Sequence, residues 1–185
     1  MNTRVEIILG CMFSGKSTEL LRRCNRYRAI GKNIILINHV VDTRTDSSIK
    51  THDGTKNEAI KLTNLMSLIQ DKQYRNILYE SSVIGIDEAQ FFDDLVEFVL
   101  AIERLNKIVI IAGLDGDSNR QPFGQILQCI PLCDTVVKLT AMDMVKKDGS
   151  AAIFTKRVNQ DKQTVLVGAE ESYQAVSRES FLLIK

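Results

Sequence analysis

A glycine-rich segment near the start of the chain has the composition of a phosphate-binding loop. Residues 10–17 (GCMFSGKS) fit the pattern G-x-x-x-x-G-K-[ST]. Glycine lets the backbone turn tightly and aim its amide hydrogens at a phosphate, Lys16 adds a positive charge for the β- and γ-phosphates, and the Ser17 hydroxyl is a ligand for Mg²⁺. The predicted nucleotide contacts are Gly10, Cys11, Met12, Phe13, Ser14, Gly15, Lys16 and Ser17.

Two consecutive acids follow another apolar segment. Residues 83–86 (VIGI) precede Asp87 and Glu88. In phosphate-loop proteins an acid at such a strand end holds Mg²⁺, usually through water, and Asp87 fits this role. Glu88 is then available as a general base or to position a water molecule. For Asp87 and Glu88 the alternative interpretation is a strand-end turn with two solvated acids. For residues 10–17 the alternative is a plain strand-to-helix turn.

The sequence favours ATP over GTP as the nucleotide. GTP-binding proteins read guanine with an N-K-x-D sequence, and the nearest match, residues 106–109 (NKIV), lacks the acid. ATP and Mg²⁺ are therefore the predicted cofactors.

Short β-branched segments alternate with amphipathic ones over the first 140 residues. Their nearly continuous Val and Ile content is typical of strands buried on both faces of a parallel sheet. The alternation predicts an α/β fold of the P-loop, RecA-like type, a parallel sheet flanked by helices. The predicted strands are residues 5–9, 33–38, 82–86, 107–112 and 135–139, and the predicted helices are residues 17–28, 62–70, 93–105 and 124–130.

The character of the sequence changes after residue 140. A turn signal lies at residues 146–150 (KKDGS), and residues 163–167 (QTVLV) are predicted to form one more strand. A tail of about 45 residues is too small for an independent core. We therefore expect residues 1–140 to form an ATP-binding domain and residues 141–185 a small subdomain packed on it.

The composition limits the classes of partner. The 185 residues include 24 Lys and Arg and 23 Asp and Glu, a net charge of +1, which gives no reason to expect a nucleic-acid partner. No apolar segment approaches the roughly 20 residues that cross a bilayer, and residues 1–9 are too short and too charged for a secretory signal. None of the four cysteines forms a C-x-x-C pair. We expect reduced thiols, a cytoplasmic location and no membrane partner.

Several segments together resemble the type II thymidine kinases of animals, bacteria and large DNA viruses. They run in that family's order and at nearly its spacing over almost the whole chain, and DEAQFF followed by VEF is especially specific. The resemblance implies transfer of the γ-phosphate of ATP to the 5′-hydroxyl of thymidine and of deoxyuridine, for dTTP supply and DNA synthesis. The matching segments are GCMFSGKSTEL (10–20), DTR (42–44), THD (51–53), VIGIDEAQFF (83–92), LDG (114–116), VVKLTA (136–141), TKR (155–157) and Tyr173.

The resemblance also implies roles beside the phosphates. Glu88 matches the family's catalytic base and Asp87 its magnesium-side acid. Asp42 and Arg44 match a pair near the phosphates, and Arg44 could stabilise charge on the moving phosphoryl group. The implied catalytic residues are Glu88, Arg44 and Lys16, and the further ATP-binding residues are Asp42, Thr43, Asp87 and Gln90.

A nucleoside pocket follows from the same resemblance. Met12, Phe91 and Leu114 match residues that wall the base, Tyr173 matches a sugar-side tyrosine, and Ser118 stands where the family often has an aromatic residue. The family's lasso loop holds thymine largely through backbone groups, and its members commonly form tetramers, so a homotetramer is expected. The lasso positions here are Thr155, Thr164, Val165, Leu166, Val167 and Gly168.

The family's structural zinc is not expected in this chain. Two C-x-x-C pairs usually bind it, and the aligned residues here are Asp143, Lys146, Ser177 and Ser180. Lys is not a plausible zinc ligand and Ser is a poor one. One hypothesis is that charge pairs among Asp143, Lys146, Arg178 and Glu179 join the same two segments; solvated surface charges are the alternative.

Two other functions remain as alternatives. One is another P-loop kinase, acting on a different small molecule or a nucleoside monophosphate; such enzymes tend to have an arginine-rich lid, and the region after residue 140 has only Arg157 and Arg178. The second is an ATP-binding module without catalysis. The presence together of Lys16, Arg44, Asp87 and Glu88 argues against that module.

Overall fold

A parallel sheet forms the centre of the protein. The computed structural model describes residues 3–42, 48–50, 56–158 and 172–183. Its first eight strands are β1 (Arg4–Gly10), β2 (Ile34–His39), β3 (Ser48–Lys50), β4 (Lys56–Glu58), β5 (Ile60–Leu62), β6 (Val83–Ile86), β7 (Ile108–Gly113) and β8 (Thr135–Leu139). Among the described residues, six of them pair in the order β5-β2-β6-β7-β1-β8, every pair parallel, while β3 and β4 pair antiparallel with each other.

The five predicted strands are confirmed, and so is the α/β fold. Strand β5 was not predicted, because three residues (IKL) are too few to show a periodic pattern. The parallel arrangement matters for function, since it brings the carboxyl ends of β1, β2, β6 and β7 to one edge of the sheet. In open α/β sheets ligands bind at that edge.

Helices cover the sheet. They are α1 (Lys16–Arg28), α2 (Ser67–Gln70), α3 (Lys72–Glu80) and α4 (Leu95–Ile102), with 3₁₀ segments at Ala89–Phe91, Glu103–Leu105 and Ile126–Leu132. The predictions for α1 and α4 are confirmed. The predicted helix over 62–70 is wrong in its first half, because Leu62 closes β5, and the prediction missed α3. The segment predicted as a helix over 124–130 is a 3₁₀ helix that includes Pro131, which has no N–H to donate to an α-helical ladder.

Apolar layers lie on both faces of the sheet. On one face, Leu20 and Cys24 of α1 pack on Leu36 and Ile110. On the other, Phe98 and Ile102 of α4 pack with Ile7, Ile37 and other strand residues. Burial on both faces explains why the strand sequences are nearly continuous in Val and Ile.

The chain after β8 packs against the residues that follow β1. It contains β9 (Ala141–Met142), β10 (Ala151–Ala152), β11 (Phe154–Arg157), β12 (Tyr173–Val176) and α5 (Arg178–Leu183). β9 pairs with β10 and β11 with β12, both antiparallel. Ala152 and Ala175 form a small buried cluster with Cys11. The strand predicted over 163–167 lies outside the described residues.

No helix in the described part of the chain has the length and apolarity that a membrane span requires.

Candidate active site

The segment between β1 and α1 folds as a tight loop. Gly10 has φ +153°, and a Cβ there would lie 2.6 Å from Ser14 Oγ and 2.7 Å from the Leu139 carbonyl oxygen. Phe13 and Gly15 have φ values of +64° and +81°, in the left-handed region. The loop needs glycine at residue 10 because neighbouring atoms occupy the side-chain space, and at residue 15 because the backbone is left-handed.

The polar side chains of this loop converge on one carbonyl group. The Lys16 ammonium donates a hydrogen bond to the Cys11 carbonyl oxygen at 2.8 Å, and the Ser14 hydroxyl donates to the same oxygen at 2.8 Å. Lys16 and Ser17 are the first two residues of α1, whose N-terminus carries the partial positive charge of the helix dipole. A tight loop that leads into a helix N-terminus is an arrangement that binds phosphate groups in other proteins.

Asp87 and Glu88 lie directly after β6, at the same edge of the sheet. The Asp87 side chain is buried, and its backbone N–H donates to the Ile37 carbonyl oxygen at 2.9 Å. The Glu88 backbone N–H donates to Asp87 Oδ1 at 3.0 Å. Glu88 itself has φ +51°, a left-handed conformation that non-glycine residues rarely adopt and that is often found at functional sites.

Gln90 connects the acid pair to the next strand. Its side-chain amide donates to Glu88 Oε2 at 2.6 Å, and its side-chain carbonyl accepts a hydrogen bond from the Leu114 backbone N–H at 2.9 Å. Gln90 was expected among the ATP contacts, and the structure joins its side chain to the candidate base. This contact gives the Glu88 carboxylate a fixed orientation.

Two glycines make room for Gln90. A Cβ on Gly124, which has φ +60°, would lie 2.1 Å from the Gln90 backbone oxygen. A Cβ on Gly113 would lie 2.7 Å from Gln90 Oε1. The 3₁₀ turn with Gln90 is therefore closely packed between the end of β7 and the segment around Gly124.

Asp42 lies buried just beyond the end of β2. Its Oδ2 accepts a hydrogen bond from the Asn38 side-chain amide at 2.8 Å, and its backbone N–H donates to the His39 carbonyl oxygen at 3.0 Å. The Lys61 ammonium of β5 donates to the Asp42 carbonyl oxygen. Sequence reasoning missed Asn38, His39 and Lys61. Polar residues at the end of the apolar strand NIILINH were the signal that could have found the first two.

The predicted base-pocket residues come from several elements. The Phe91 ring packs edge-to-face on the Phe123 ring, with centroids 5.5 Å apart. The Met12 backbone N–H donates to the Thr155 hydroxyl at 2.9 Å, so the phosphate loop is tied directly to β11. Leu114 follows β7. The structure therefore brings Met12 and Thr155 into contact, and Phe91 and Leu114 lie beside Gln90.

Tyr173 and Ser118 lie in the surrounding parts of the structure. The Tyr173 hydroxyl accepts a hydrogen bond from Arg157 Nη2 at 2.6 Å, across the β11–β12 pair. Ser118 belongs to a turn closed by the Arg120 backbone N–H and the Asp117 carbonyl oxygen. A cavity of about 250 Å³ adjoins this turn, lined by residues that include Cys11, Asp115, Asp117, Lys138 and Thr155.

Other predicted site residues lie outside the described residues. They are Thr43 and Arg44 beside the phosphates, and the lasso residues Thr164, Val165, Leu166, Val167 and Gly168. Their roles therefore stay predictions.

Comparison with known proteins identifies the family. The family model described as thymidine kinase matches residues 3–181 of this chain. The chain belongs to the thymidine kinase family. It is 40% identical to the thymidine kinase of vaccinia virus (strain Western Reserve) and 42% identical to that of raccoon poxvirus, over 178 residues and 96% of each chain.

Cellular thymidine kinases are similar to the same degree. The human cytosolic thymidine kinase is 42% identical over 175 residues, which are 95% of this chain and 71% of the human one. Among solved structures, a DNA replication initiation factor aligns with 74% of this chain and 40% of its own, with a TM-score of 0.46 and 13% identity. A structural likeness at that level carries no argument about function.

The four residues that the sequence resemblance matched to zinc ligands, Asp143, Lys146, Ser177 and Ser180, form a polar cluster around Asp143. This side chain is only 1% exposed. Its Oδ1 accepts hydrogen bonds from the backbone N–H groups of Val145 (2.8 Å) and Lys146 (3.0 Å), and its Oδ2 accepts one from the Ser177 N–H (2.9 Å). The Ser180 N–H donates to the Ser177 hydroxyl at 3.2 Å.

These contacts stabilise the ionised form of Asp143. Burial by itself raises the pKa of this carboxyl, but the hydrogen bonds from Ser177 and neighbouring groups outweigh it and hold the pKa well below the usual range. Asp143 is therefore a carboxylate at neutral pH.

The charge-pair hypothesis for these segments is correct in one pair. The Lys146 ammonium lies 2.5 Å from Glu179 Oε2, so this pair does join the two segments. The hypothesis is wrong for Asp143, which accepts hydrogen bonds from backbone N–H groups and from serines. Arg178 lies instead over the Phe154 ring, 5.2 Å from its centroid. No group of three or more His, Cys, Asp or Glu side chains among the described residues is arranged to hold a metal ion.

Proposed function

We propose that this protein phosphorylates the 5′-hydroxyl of thymidine, and of deoxyuridine, with ATP as the phosphate donor. The observation that carries the proposal is the common position of the phosphate loop and the Asp87–Glu88 pair at one edge of the sheet, in a chain of the thymidine kinase family. The product is a nucleoside monophosphate, which supplies dTTP for DNA synthesis.

In the proposed reaction Glu88 is the general base. Its carboxylate accepts the proton of the 5′-hydroxyl as the oxygen forms a bond to the γ-phosphorus, and the bond from that phosphorus to the β–γ bridging oxygen breaks to release ADP. The hydrogen bond from Gln90 holds this carboxylate in one orientation. Alignment of the reacting groups contributes much of the rate enhancement in phosphoryl transfer, because the protein takes little part in the covalent chemistry.

Positive charge on the phosphates comes from Lys16 and, by resemblance, from Arg44. Lys16 lies at the positive end of α1, and Asp42 and Thr43 belong to the same proposed phosphate side. Ser17 would ligate Mg²⁺ directly and Asp87 through water. The metal, when bound, neutralises charge on the phosphate oxygens.

We assign thymidine to a pocket formed by Met12, Phe91, Leu114, Ser118, Thr155, Tyr173 and the lasso residues Thr164, Val165, Leu166, Val167 and Gly168. The hydrogen bond from the Met12 N–H to the Thr155 hydroxyl supports this, because it joins one of these residues to the phosphate loop. The near-neutral net charge of +1 suits an uncharged nucleoside substrate and gives no reason to expect nucleic acid.

We also propose that the protein folds without zinc. The donor set at the aligned positions does not fit the metal: Lys146 carries a cation in an ion pair, and Asp143 already accepts at least three hydrogen bonds. Elemental analysis of purified protein is expected to find no stoichiometric zinc, and one zinc per chain would overturn this assignment.

We infer that the protein is a cytoplasmic homotetramer, as the family resemblance implies. We also infer that residues 1–140 form the ATP-binding domain and residues 141–185 a substrate-binding subdomain. The packing of β10 and β12 on Cys11 supports a subdomain packed on the first domain. Light scattering coupled to size exclusion tests the tetramer. A monomer at micromolar concentration would contradict it.

One assay distinguishes the proposed function from its alternatives. ATP consumption is measured with thymidine, deoxyuridine, deoxycytidine, dTMP and no acceptor. Turnover with thymidine or deoxyuridine supports the proposal. Turnover confined to dTMP would indicate a monophosphate kinase, and ATP binding without turnover on any acceptor would indicate a non-catalytic module.

A further inference from the structure

His39 is a buried histidine that the proposed reaction does not use. It ends β2 at the edge of the sheet where the candidate active site lies, and its side chain is 7% exposed. The Val41 backbone N–H donates a hydrogen bond to His39 Nδ1 at 3.1 Å. A ring nitrogen that accepts a hydrogen bond carries no proton, so the contact describes a neutral imidazole with its proton on Nε2.

On one side His39 shapes the turn that carries Asp42. Its ring nitrogen holds the Val41 N–H and its carbonyl oxygen accepts the Asp42 N–H at 3.0 Å. Asn38 then bonds the Asp42 carboxylate at 2.8 Å. The side chain of His39 thus holds Val41, and its backbone holds Asp42, a residue of the proposed phosphate side.

On the other side His39 contacts the turn that carries the candidate base. Its ring packs edge-to-face on Phe92, with centroids 4.7 Å apart, and tilted on Phe91, 5.8 Å apart. The Phe91 N–H donates to the Glu88 carbonyl oxygen at 3.1 Å, which makes the two phenylalanines a direct continuation of the Glu88 turn. One imidazole therefore touches both halves of the candidate site.

We propose that neutral His39 is a positioning residue that sets the Asp42 turn against the Glu88 turn. Its effect on catalysis rests on the proposed kinase function. A proton added to Nδ1 would face the Val41 N–H and remove that hydrogen bond, so the arrangement weakens when the imidazole becomes charged.

The charges around the ring oppose one another. The charged groups that act on the ring are Lys61 of β5 and, before α4, Asp93 and Asp94, and Asp42 lies in the same turn as His39. Burial is the largest influence and lowers the pKa of His39, while the Thr63 backbone and the two carboxylates act in the opposite direction. Because the pKa is lowered, the ring stays neutral at physiological pH, and the arrangement is lost only as the pH falls below the ordinary value of about 6.5.

Two substitutions test the positioning role. His39→Phe keeps a ring against Phe92 and removes the acceptor for Val41, while His39→Asn keeps an acceptor near the Nδ1 position. In His39→Phe we expect kcat for thymidine to fall about tenfold with KM for both substrates within about threefold, because the proposed role of His39 is to align the two turns and not to bind substrate. His39→Asn should recover part of that kcat. A correctly folded His39→Phe with the kcat and pH profile of the unsubstituted protein would overturn the proposal.

The unsubstituted protein provides a test that needs no activity. The chain has two histidines, so a His52→Gln variant assigns the imidazole signals of His39 by nuclear magnetic resonance. Long-range nitrogen–proton correlations should show the proton on Nε2 at pH 7 and titration below pH 6.5. A proton on Nδ1, or titration at 6.5 or above, would refute the geometry. A normal His39 in a protein that does not phosphorylate thymidine would instead refute the proposed function.

Discussion

The candidate base combines a strained backbone with a fixed side chain. Glu88 has φ +51°, and its carboxylate oxygen receives the Gln90 amide at 2.6 Å. Left-handed non-glycine residues cost of the order of 1–3 kcal/mol and persist where surrounding contacts hold them. Here Asp87 and Phe91 contact the backbone of Glu88, and Gln90 contacts its carboxylate.

Replacing Glu88 tests the base directly. Glu88→Gln removes the proton acceptor and keeps the size of the side chain, so kcat with thymidine should fall about 10²–10⁴-fold while ATP binding by calorimetry is unchanged. Glu97→Gln, at an exposed position of α4, is the matched control and should keep full activity. Normal turnover in Glu88→Gln would remove Glu88 from its assigned role.

Gln90 is expected to contribute both to the stability of the fold and to the orientation of the Glu88 carboxylate, and the two effects can be measured separately. Gln90→Ala leaves the Leu114 N–H without its acceptor, at a cost of about 1–3 kcal/mol in the free energy of unfolding, and frees the Glu88 carboxylate to turn. We expect kcat to fall about tenfold, less than for Glu88→Gln. Urea unfolding and steady-state kinetics measure the two effects, with the exposed Gln128→Ala as control. If Gln90→Ala loses stability and keeps its kcat, Gln90 is structural only.

At the scale of elements, the site depends on close approach of turns at the ends of parallel strands. The turn after β6 lies against the end of β7 and the segment around Gly124, where only hydrogen fits in place of a Cβ. The phosphate loop is enclosed in the same way by Leu139 at the end of β8. The ends of these strands are therefore closely packed against one another.

A glycine substitution measures this packing. Gly124→Ala places a Cβ 2.1 Å from the Gln90 backbone oxygen at a φ of +60°, so we expect about 2–5 kcal/mol of destabilisation and a loss of kcat, since the Glu88 turn must move. Gly31→Ala has a similar φ of +75° with no atom within 4 Å, and should cost only about 1–2 kcal/mol with kcat unchanged. Thermal or urea unfolding of the pair checks the difference. Equal losses in the two variants would contradict the packing argument.

At the scale of the whole molecule, the C-terminal strands pack on the loop that follows β1. The Thr155 hydroxyl accepts from the Met12 N–H, Ala152 packs on Cys11, and Asp143 ties the start of this region to Ser177 near its end. A buried carboxylate with several backbone donors thus connects segments more than 30 residues apart, at positions where the family resemblance places zinc ligands.

The Asp143 cluster predicts a particular dependence of stability on pH. Because the pKa of Asp143 is lowered on folding, its stabilisation is present above the ordinary carboxyl pKa of about 4 and is lost as the pH falls below it. Asp143→Asn leaves backbone N–H groups facing an amide, so it should cost about 1–3 kcal/mol at pH 7, and the gap to the unsubstituted protein should narrow at pH 3.

Urea unfolding at the two pH values measures this gap. Glu179→Gln breaks the exposed pair with Lys146 and serves as the comparison, with little change expected in the free energy of unfolding at either pH. A gap for Asp143→Asn that is the same at both pH values would contradict a carboxylate role for Asp143.

The sequence by itself determined the features that depend on residues close together in the chain. The pattern of residues 10–17 predicted the phosphate loop, continuous Val and Ile predicted the buried parallel strands, and the acids after residue 86 predicted the second half of the site. These signals are local because a tight loop needs glycine at fixed positions and a strand buried on both faces needs apolar residues throughout.

Only the tertiary structure decided which distant residues meet. Strand order brought His39 beside Phe92, and packing against Gly113 and Gly124 set the Gln90 side chain beside the Leu114 N–H. The fold also gathered Asp143 with Ser177. Such contacts join residues far apart in the chain, and their geometry follows from packing of the whole core, which no local pattern of residue types encodes.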